Sequence, residues 1–224
     1  MNSVITYIFG EHQELLRNPL CIDSDTEYIC VTDVPTLQSN CWKIIYSPLR
    51  HLYHNRLKFA YIKTHPFAYT KADNVLVIDG SMQIRQSIAP LFKMSYDILL
   101  KPHPLRNTLR DELIVWPNRG LSPDAMLRYI IMAECLKANL QMGPVYETNI
   151  SLWHRNADTI QFGDITHKMM MKLSQPDSVF LSNQLVMSLL LQTKFAYLRV
   201  GSIEQQPYFI KYDHGTNIAC HRQT

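Results

Sequence analysis

Asn74-Val-Leu-Val-Ile78 runs directly into Asp79-Gly80-Ser81, and this segment is the clearest indication of the fold class. Four consecutive apolar residues predict a strand that is buried on both faces, as strands of parallel sheets are. Ligands of open α/β sheets bind beyond the carboxyl ends of the strands, which is where Asp79 falls. A carboxylate followed by glycine can face an ion or a phosphate with little steric obstruction. The alternative is that the Asp-Gly pair only makes a tight turn.

Strands and helices alternate along the rest of the chain, which predicts an α/β domain whose mixed, mainly parallel sheet is flanked by helices on both faces. Further strands are expected at residues 4–9, 28–32, 42–46, 97–100, 145–152 and 197–200. Helical spacing of apolar residues covers 48–63, a stretch that begins at Ser122, 165–173 and 178–192. The residues after 204 show no clear period.

The composition fits one soluble domain of 224 residues, with 46% hydrophobic and 18% charged side chains. These values exclude a disordered chain, a collagen and a coiled coil. A net charge of +3 neither requires nor excludes nucleic acid. The five cysteines form no C-x-x-C pair, which predicts reduced thiols and a cytoplasmic protein. We expect no signal peptide at residues 1–9 and no transmembrane segment.

Basic residues flank the acidic strand end on both sides in the sequence. Asn55–Lys58 and Lys63–Pro66 precede it, and the segments Lys101–Asn107 and Arg110–Glu112 follow. Arginine and lysine around a carboxylate suit a diphosphate that is held partly by a metal ion. The alternative for the upstream group is a solvated helix face. The downstream loop, which prolines 102 and 104 stiffen, presents His, Arg, Asp and Glu together, and such loops often bind ligands.

The order of these motifs resembles a known family. The motifs are Tyr7-Ile-Phe-Gly10, Tyr28-Ile-Cys-Val-Thr-Asp33, Trp42-Lys-Ile44, Asn55-Arg56, Lys63-Thr-His65-Pro66, Val77-Ile-Asp79-Gly80-Ser81, His103-Pro-Leu-Arg106-Asn107, Glu147-Thr-Asn149 and His154-Arg-Asn156. Over residues 4–200 the chain is similar to the glycosyltransferase-like domain shared by bacterial polysaccharide-cluster enzymes and plant mucilage and pollen proteins. That resemblance implies a single GT-A-like, Rossmann-like domain. A nucleotide-binding half would span about residues 1–100 and an acceptor half about 101–224.

The resemblance also implies a donor site for a nucleotide-diphospho-sugar. It places Tyr7, Phe9 and Asp33 near the base and ribose, Arg56 and Lys63 at the diphosphate, and Asp79, Gly80 and Ser81 in the metal-binding D-x-D motif. Asp79 and His214 would hold a divalent metal, Mn²⁺ or Mg²⁺. The chain departs from the family twice, because Ser81 replaces the second acid and Ser182-Asn183-Gln184 stands where relatives carry Arg-Asp-Gln.

Glycosyl transfer needs a carboxylate that acts on the acceptor or on the sugar. Glu147 and Glu112 are the candidate carboxylates, with Gln184 as a polar partner, and the alternative for either glutamate is an ordinary surface charge. The acceptor is expected to contact five residues of the downstream half: His103, Arg106, Asn107, Trp116 and Asn149. The sequence leaves retention or inversion of the anomeric configuration open.

The sequence therefore predicts a glycosyltransferase that uses a surface glycan or glycolipid as acceptor, with peripheral contact to a membrane left open. One alternative keeps this chemistry and acts on a hydroxylated base of viral DNA, which would make nucleic acid a partner. Another is a non-catalytic domain that binds a nucleotide-sugar or a glycan. The departures at Ser81 and at 182–184 favour this last alternative.

Overall fold

The computed structural model describes residues 1–10, 16–52, 54–119, 122–174, 182–204 and 207–212. Its strands are β1 (Asn2–Ile8), β2 (Thr26–Thr32), β3 (Lys43–Tyr46), β4 (Asn74–Ile78), β5 (Met82–Ile84), β6 (Ile98–Pro102), β7 (Tyr146–His154), β8 (Val200–Ser202) and β9 (Phe209–Lys211). Its helices are α1 (Asn55–Thr64), α2 (Ala89–Phe92), α3 (Leu109–Val115), α4 (Pro123–Cys135), α5 (Ala157–Leu173) and α6 (Asn183–Gln192). Short 3₁₀ helices cover Pro66–Ala68 and Trp116–Arg119.

Seven of these strands form one sheet in the order β3-β2-β1-β4-β7-β6-β8. Every neighbouring pair is parallel except the two pairs made by β7, which is antiparallel to β4 and to β6. β5 and β9 pair separately as a two-stranded antiparallel sheet. The α/β class and the mixed, mainly parallel sheet in a single domain are confirmed.

The chain changes direction across the sheet beside β1. From β1 it moves outward to β2 and β3, and then returns through α1 to β4, on the other side of β1. The carboxyl ends of β1 and β4 therefore flank a topological switch point, the place where open α/β sheets bind ligands. Because β7 runs the opposite way, its first residues lie at this same edge.

The sheet separates two hydrophobic cores, as the alternation along β1 shows. Ile5 and Tyr7 face a core shared with α1, α3, α4, α5 and α6. Val4 and Ile8 face the other core, which α2, β5 and β9 cover. Long helices cover only the first face of the sheet. The second face carries the four-residue α2 and a small two-stranded sheet, so the expectation of helices on both faces is met only in part.

Several predicted boundaries are wrong for identifiable reasons. The helix expected over 48–63 begins at Asn55, where the His54 side chain accepts a hydrogen bond from the Arg56 N–H. α5 begins at residue 157 instead of 165, because Asn156 and Thr159 form a capping box. The last strand expected at 197–200 is found at Val200–Ser202. The predicted start at 178 of the final helix lies outside the described residues.

Other elements are ones that the periodicity did not predict. α3 lies inside the run that was expected to be an extended loop, and Thr108 caps it together with Asp111. β5, α2 and β9 have only three or four residues each, too few to show a period. Within the described ranges, none of the helices has both the length and the apolar character needed to cross a bilayer.

Candidate functional site

Three side chains meet at the switch point. The Tyr7 hydroxyl donates a hydrogen bond to Asp79 Oδ1, and Lys63 Nζ lies 2.8 Å from the same oxygen. Lys63 Nζ also lies 3.4 Å from Thr148 Oγ1. The four residues come from β1, α1, the end of β4 and the start of β7, so the site exists only once the sheet has formed.

Glycine at position 80 lets the end of β4 approach β1. A Cβ atom on Gly80 would lie 2.7 Å from Ile8 Cδ1 and 2.9 Å from the Tyr7 carbonyl oxygen, which is closer than real Cβ contacts. On the other side, the Asp79 N–H donates to the Asn149 carbonyl at 2.9 Å. The backbone of Asp79 is therefore fixed from both sides, and its carboxylate is held at the edge.

The electrostatics of this group favour a neutral phenol beside a charged pair. Burial raises the pKa of Tyr7 well above its ordinary value, and the negative charge and the hydrogen bond of Asp79 add to that rise. The positive charge of Arg56 opposes the rise in the pKa of Tyr7 to a smaller extent. The Lys63 side chain is 10% exposed and that of Asp79 is 28% exposed. A ligand can therefore reach the carboxylate, while the ammonium is largely removed from water.

Asp33 organises the neighbouring end of β2. Its Oδ1 accepts the Gly10 N–H at 2.7 Å, and its Oδ2 lies 3.1 Å from Lys58 Nζ. Gly10 has a φ of +73°, a conformation that glycine adopts without strain. The same lysine ammonium lies 5.6 Å from the centre of the Phe9 ring. The Asp33 carboxylate, at the end of β2, is thus oriented from two directions, by the backbone after β1 and by a lysine of α1.

A second ionic group lies at the ends of β6 and β7. Lys101 Nζ is 2.6 Å from Glu147 Oε2, and His103 Nε2 is 3.8 Å from Glu147 Oε1. The Leu105 N–H donates to His103 Nδ1 at 3.1 Å, and this hydrogen bond fixes the orientation of the His103 ring. Oε2 has this ionic partner but no directed hydrogen bond. Glu147 is 17% exposed, so it is a largely buried carboxylate at the same edge as Asp79.

Two amide side chains have buried atoms without hydrogen-bond partners among the described residues. Asn149 on β7 is 8% exposed, and neither its Oδ1 nor its Nδ2 has a partner there. For Gln184, in the first turn of α6, the same holds of the buried Nε2. Buried polar atoms without partners are costly, and sites that bind polar ligands are a common reason for them.

Glu112 is fully buried, away from any opening. One of its carboxylate oxygens accepts from Arg106 Nη1, and the other accepts the Trp116 Nε1–H at 2.5 Å. Its exposed fraction is 0%. Both oxygens are therefore engaged, and the geometry makes Glu112 an anchor for Arg106 and Trp116.

The remaining predicted residues lie around this edge in different settings. Arg56 is exposed in the first turn of α1. The Ser81 carbonyl accepts the Tyr212 N–H at 3.0 Å.

Asn107 is exposed, and its N–H donates to Asp111 ahead of α3. Phe9 is 1% exposed and its ring stacks near Tyr7, so it is a core residue. His214 lies outside the described residues.

The described residues do not fit a divalent cation well. Asp79 Oδ1 already has an ammonium and a phenol as partners, and Ser81 offers a hydroxyl where a second carboxylate would be expected. Across the ranges that the structure describes, no cluster of three His, Cys, Asp or Glu side chains could hold a metal ion. The cation next to Asp79 is the Lys63 ammonium.

Sequence analysis did not assign roles to three residues of the site. Lys58 and Lys101 were noted only as members of basic runs, and Thr148 was not singled out. Lys101 lies near the end of β6, so the rule that ligands bind beyond strand ends could have found it. No comparable signal marks Thr148, whose contact with Lys63 spans 85 residues.

No protein-family model matches the chain, and no curated protein matches it either.

Proposed function

We propose that the chain is a glycosyltransferase of GT-A type, which moves a sugar from a nucleoside-diphosphate sugar to a hydroxyl group of a glycan or glycolipid. The observation that carries the proposal is the position of Asp79. It follows β4 at the topological switch point, in contact with Tyr7 of β1 and paired with the largely buried Lys63. The motif resemblance independently assigns the donor site to these same residues.

The donor half needs positive charge for the diphosphate that leaves. Three cationic side chains come from α1, namely Arg56, Lys58 and Lys63. Such groups stabilise developing negative charge best where water is excluded, because the local dielectric constant is low. Lys63 meets that condition with 10% exposure, and Lys58 with 14%. Asp33, held by Gly10 and Lys58, supplies an acceptor for the hydroxyl groups of a ribose.

The acceptor half needs a base and polar groups that bind hydroxyls. Glu147 lies two residues before Asn149 on β7, at the same sheet edge as Asp79. As general base it would take the proton of the acceptor hydroxyl while the bond between the anomeric carbon and the diphosphate breaks. Among the described residues, the Asn149 amide has both a donor and an acceptor without partners, and Gln184 Nε2 adds a donor, so these atoms are available to sugar hydroxyls.

A non-catalytic domain that binds a nucleotide-sugar is the second candidate. One observation favours it, which is that Asp79 Oδ1 is already occupied by Lys63 and Tyr7. In such a domain this pair would be a fixed structural contact, and the ligand would use the basic side chains alone.

Measuring both nucleotide-sugar binding and turnover distinguishes the two candidate functions. We would first screen nucleotide-sugars by thermal shift, with and without Mn²⁺ or Mg²⁺, because a ligand of the native state raises its melting temperature. Release of nucleoside diphosphate would then be measured with glycan, glycolipid and hydroxylated-DNA acceptors. Stabilisation with release supports the transferase, and stabilisation without release supports the binding domain. The absence of both contradicts the two proposals.

A further inference from the structure

A groove on the helical layer combines an apolar floor with a lysine rim. Its volume is about 290 Å³ and it lies between α4, α5 and α6. The floor and walls are apolar side chains from all three helices, and the rim carries Lys168, Lys172 and Lys194. The apolar lining consists of Met132, Leu136, Ile165, Met169 and Leu190.

The four-residue spacing of side chains along α5 explains the character of the groove. Ile165 and Met169 are four residues apart, as are Lys168 and Lys172, so one helical face presents an apolar row beside a basic row. Lys194 follows the end of α6 and brings a third ammonium to the same groove. Methionine side chains adapt their shape, which suits a floor that receives flexible chains.

The rim is positive because its three lysines lack ion-pair partners. All three are exposed, and none of them forms an ion pair with a carboxylate of the described residues. Asp164, one turn before Lys168, has His65 as its partner, with 3.1 Å between Asp164 Oδ1 and His65 Nε2. A surface with an apolar centre and three cations that form no ion pair is complementary to an anionic amphiphile.

We propose that this lysine-rimmed groove binds the surface of a bilayer that contains anionic phospholipid. Acyl carbons would contact the apolar floor, and the lipid phosphates and carboxylates would pair with the three ammonium groups. A nucleic acid would use the lysines but leave the floor exposed to water, so it explains only half of the groove. The proposal does not depend on glycosyl transfer, because no residue of the candidate site lines the groove.

The test is co-sedimentation of the full chain with phosphatidylcholine vesicles that contain or lack phosphatidylserine. We expect binding only with phosphatidylserine, and weaker binding as salt rises. The triple variant Lys168→Gln/Lys172→Gln/Lys194→Gln should lower partitioning roughly 100-fold, at about fivefold for each lysine near an anionic surface. The matched control is Lys71→Gln/Lys93→Gln/Lys211→Gln, which removes the same charge from exposed positions that do not line the groove. It should change partitioning less than about threefold.

Met132→Gln tests the apolar floor, since it retains side-chain length while adding a polar end. It should weaken vesicle binding without changing the melting temperature by more than a few degrees. The proposal is overturned if the wild type ignores phosphatidylserine, if the control triple loses as much binding as the rim triple, or if Met132→Gln binds like the wild type. Binding of soluble short-chain phosphatidylserine without vesicle binding overturns it too. Asp79→Asn should bind vesicles normally, which separates this result from failure of the transferase proposal.

Discussion

The Lys63 ammonium lies 2.8 Å from Asp79 Oδ1, although one residue is in the last turn of α1 and the other follows β4. The pair connects α1, the helix that leads the chain back across the sheet, with the end of β4, the strand that follows this helix. It therefore places a largely buried positive charge and a partly accessible negative charge at the switch point.

Asp79→Asn should abolish transfer and leave the fold intact. The amide oxygen can accept a hydrogen bond from Lys63 but forms no ion pair with it, so we expect kcat/KM to fall at least about 100-fold, as when one preorganised electrostatic group is lost. Nucleoside-diphosphate release measures this. Asp73→Asn is the control, because Asp73 precedes the same strand and pairs with the N-terminus at 65% exposure. Turnover like the wild type in Asp79→Asn would remove Asp79 from the mechanism.

Lys63→Met should weaken both donor binding and turnover. The substitution keeps the apolar stem of the side chain and removes the cation that Asp79 and the diphosphate would share. We expect roughly a 100-fold loss in kcat/KM. Lys43→Met is matched to it, because Lys43 is 63% exposed and pairs with Glu27 outside the site. Calorimetric donor affinity equal to the wild type would contradict the role of Lys63 at the diphosphate.

Glu147→Gln should lower kcat while donor affinity stays within about twofold, because a general base contributes about 100- to 10,000-fold to the rate and little to donor binding. Glu27→Gln is the matched change, since Glu27 also pairs with one lysine but lies at the start of β2. If Glu147→Gln retains kcat, the base lies elsewhere.

Glu112→Ala should destabilise the protein more than it affects chemistry. It leaves Arg106 largely buried without its counter-ion and removes the acceptor of Trp116, which costs about 3–5 kcal/mol. Urea denaturation measures the change. In a chain of this length each kcal/mol lowers Tm by about 2–4 °C. Glu134→Ala, at an exposed position of α4, is the comparison. A Tm unchanged by Glu112→Ala would show that the buried pair contributes nothing.

Two histidines between α1 and α5 should make stability depend on pH. Burial lowers the pKa of His167 from 6.5 to about 4, and neighbouring His65 and His51 contribute to the shift. Burial also lowers the pKa of His65. The unfolded chain therefore binds more protons than the native state below pH 6.5, so the free energy of unfolding falls as the pH drops from 6.5 towards 4.

Removal of one histidine should flatten that dependence. His167 contributes less than about 1.4 kcal/mol per pH unit to the slope within the window, because solvent screens a ring that is only partly buried, and His167→Gln should abolish that share. Denaturation midpoints at several pH values between 4 and 7 provide the measurement. An identical slope in His167→Gln and the wild type would show that His167 does not titrate in this way.

Long elements with an unbroken apolar pattern could be predicted closely from the sequence. The strand expected at Asn74–Ile78 is found at those residues, and Ser122 caps α4 as its Ser-Pro-Asp start indicates. Both signals are local, since burial of a continuous apolar run and satisfaction of a free helix N–H depend on neighbouring residues. The short elements β5, α2 and β9 carry no such signal, because tertiary pairing and packing stabilise them.

The α/β class, the acidic end of β4 and the presence of basic residues around it could be predicted from the chain alone, because they follow from composition and short-range order. Which of those charges meet depends on the three-dimensional arrangement. Folding pairs Asp79 with Lys63 and Tyr7, buries Glu112, and leaves the Asn149 side-chain amide without a partner among the described residues. Contacts across 16 to 85 residues depend on strand order and register, and no local pattern in a single sequence specifies them.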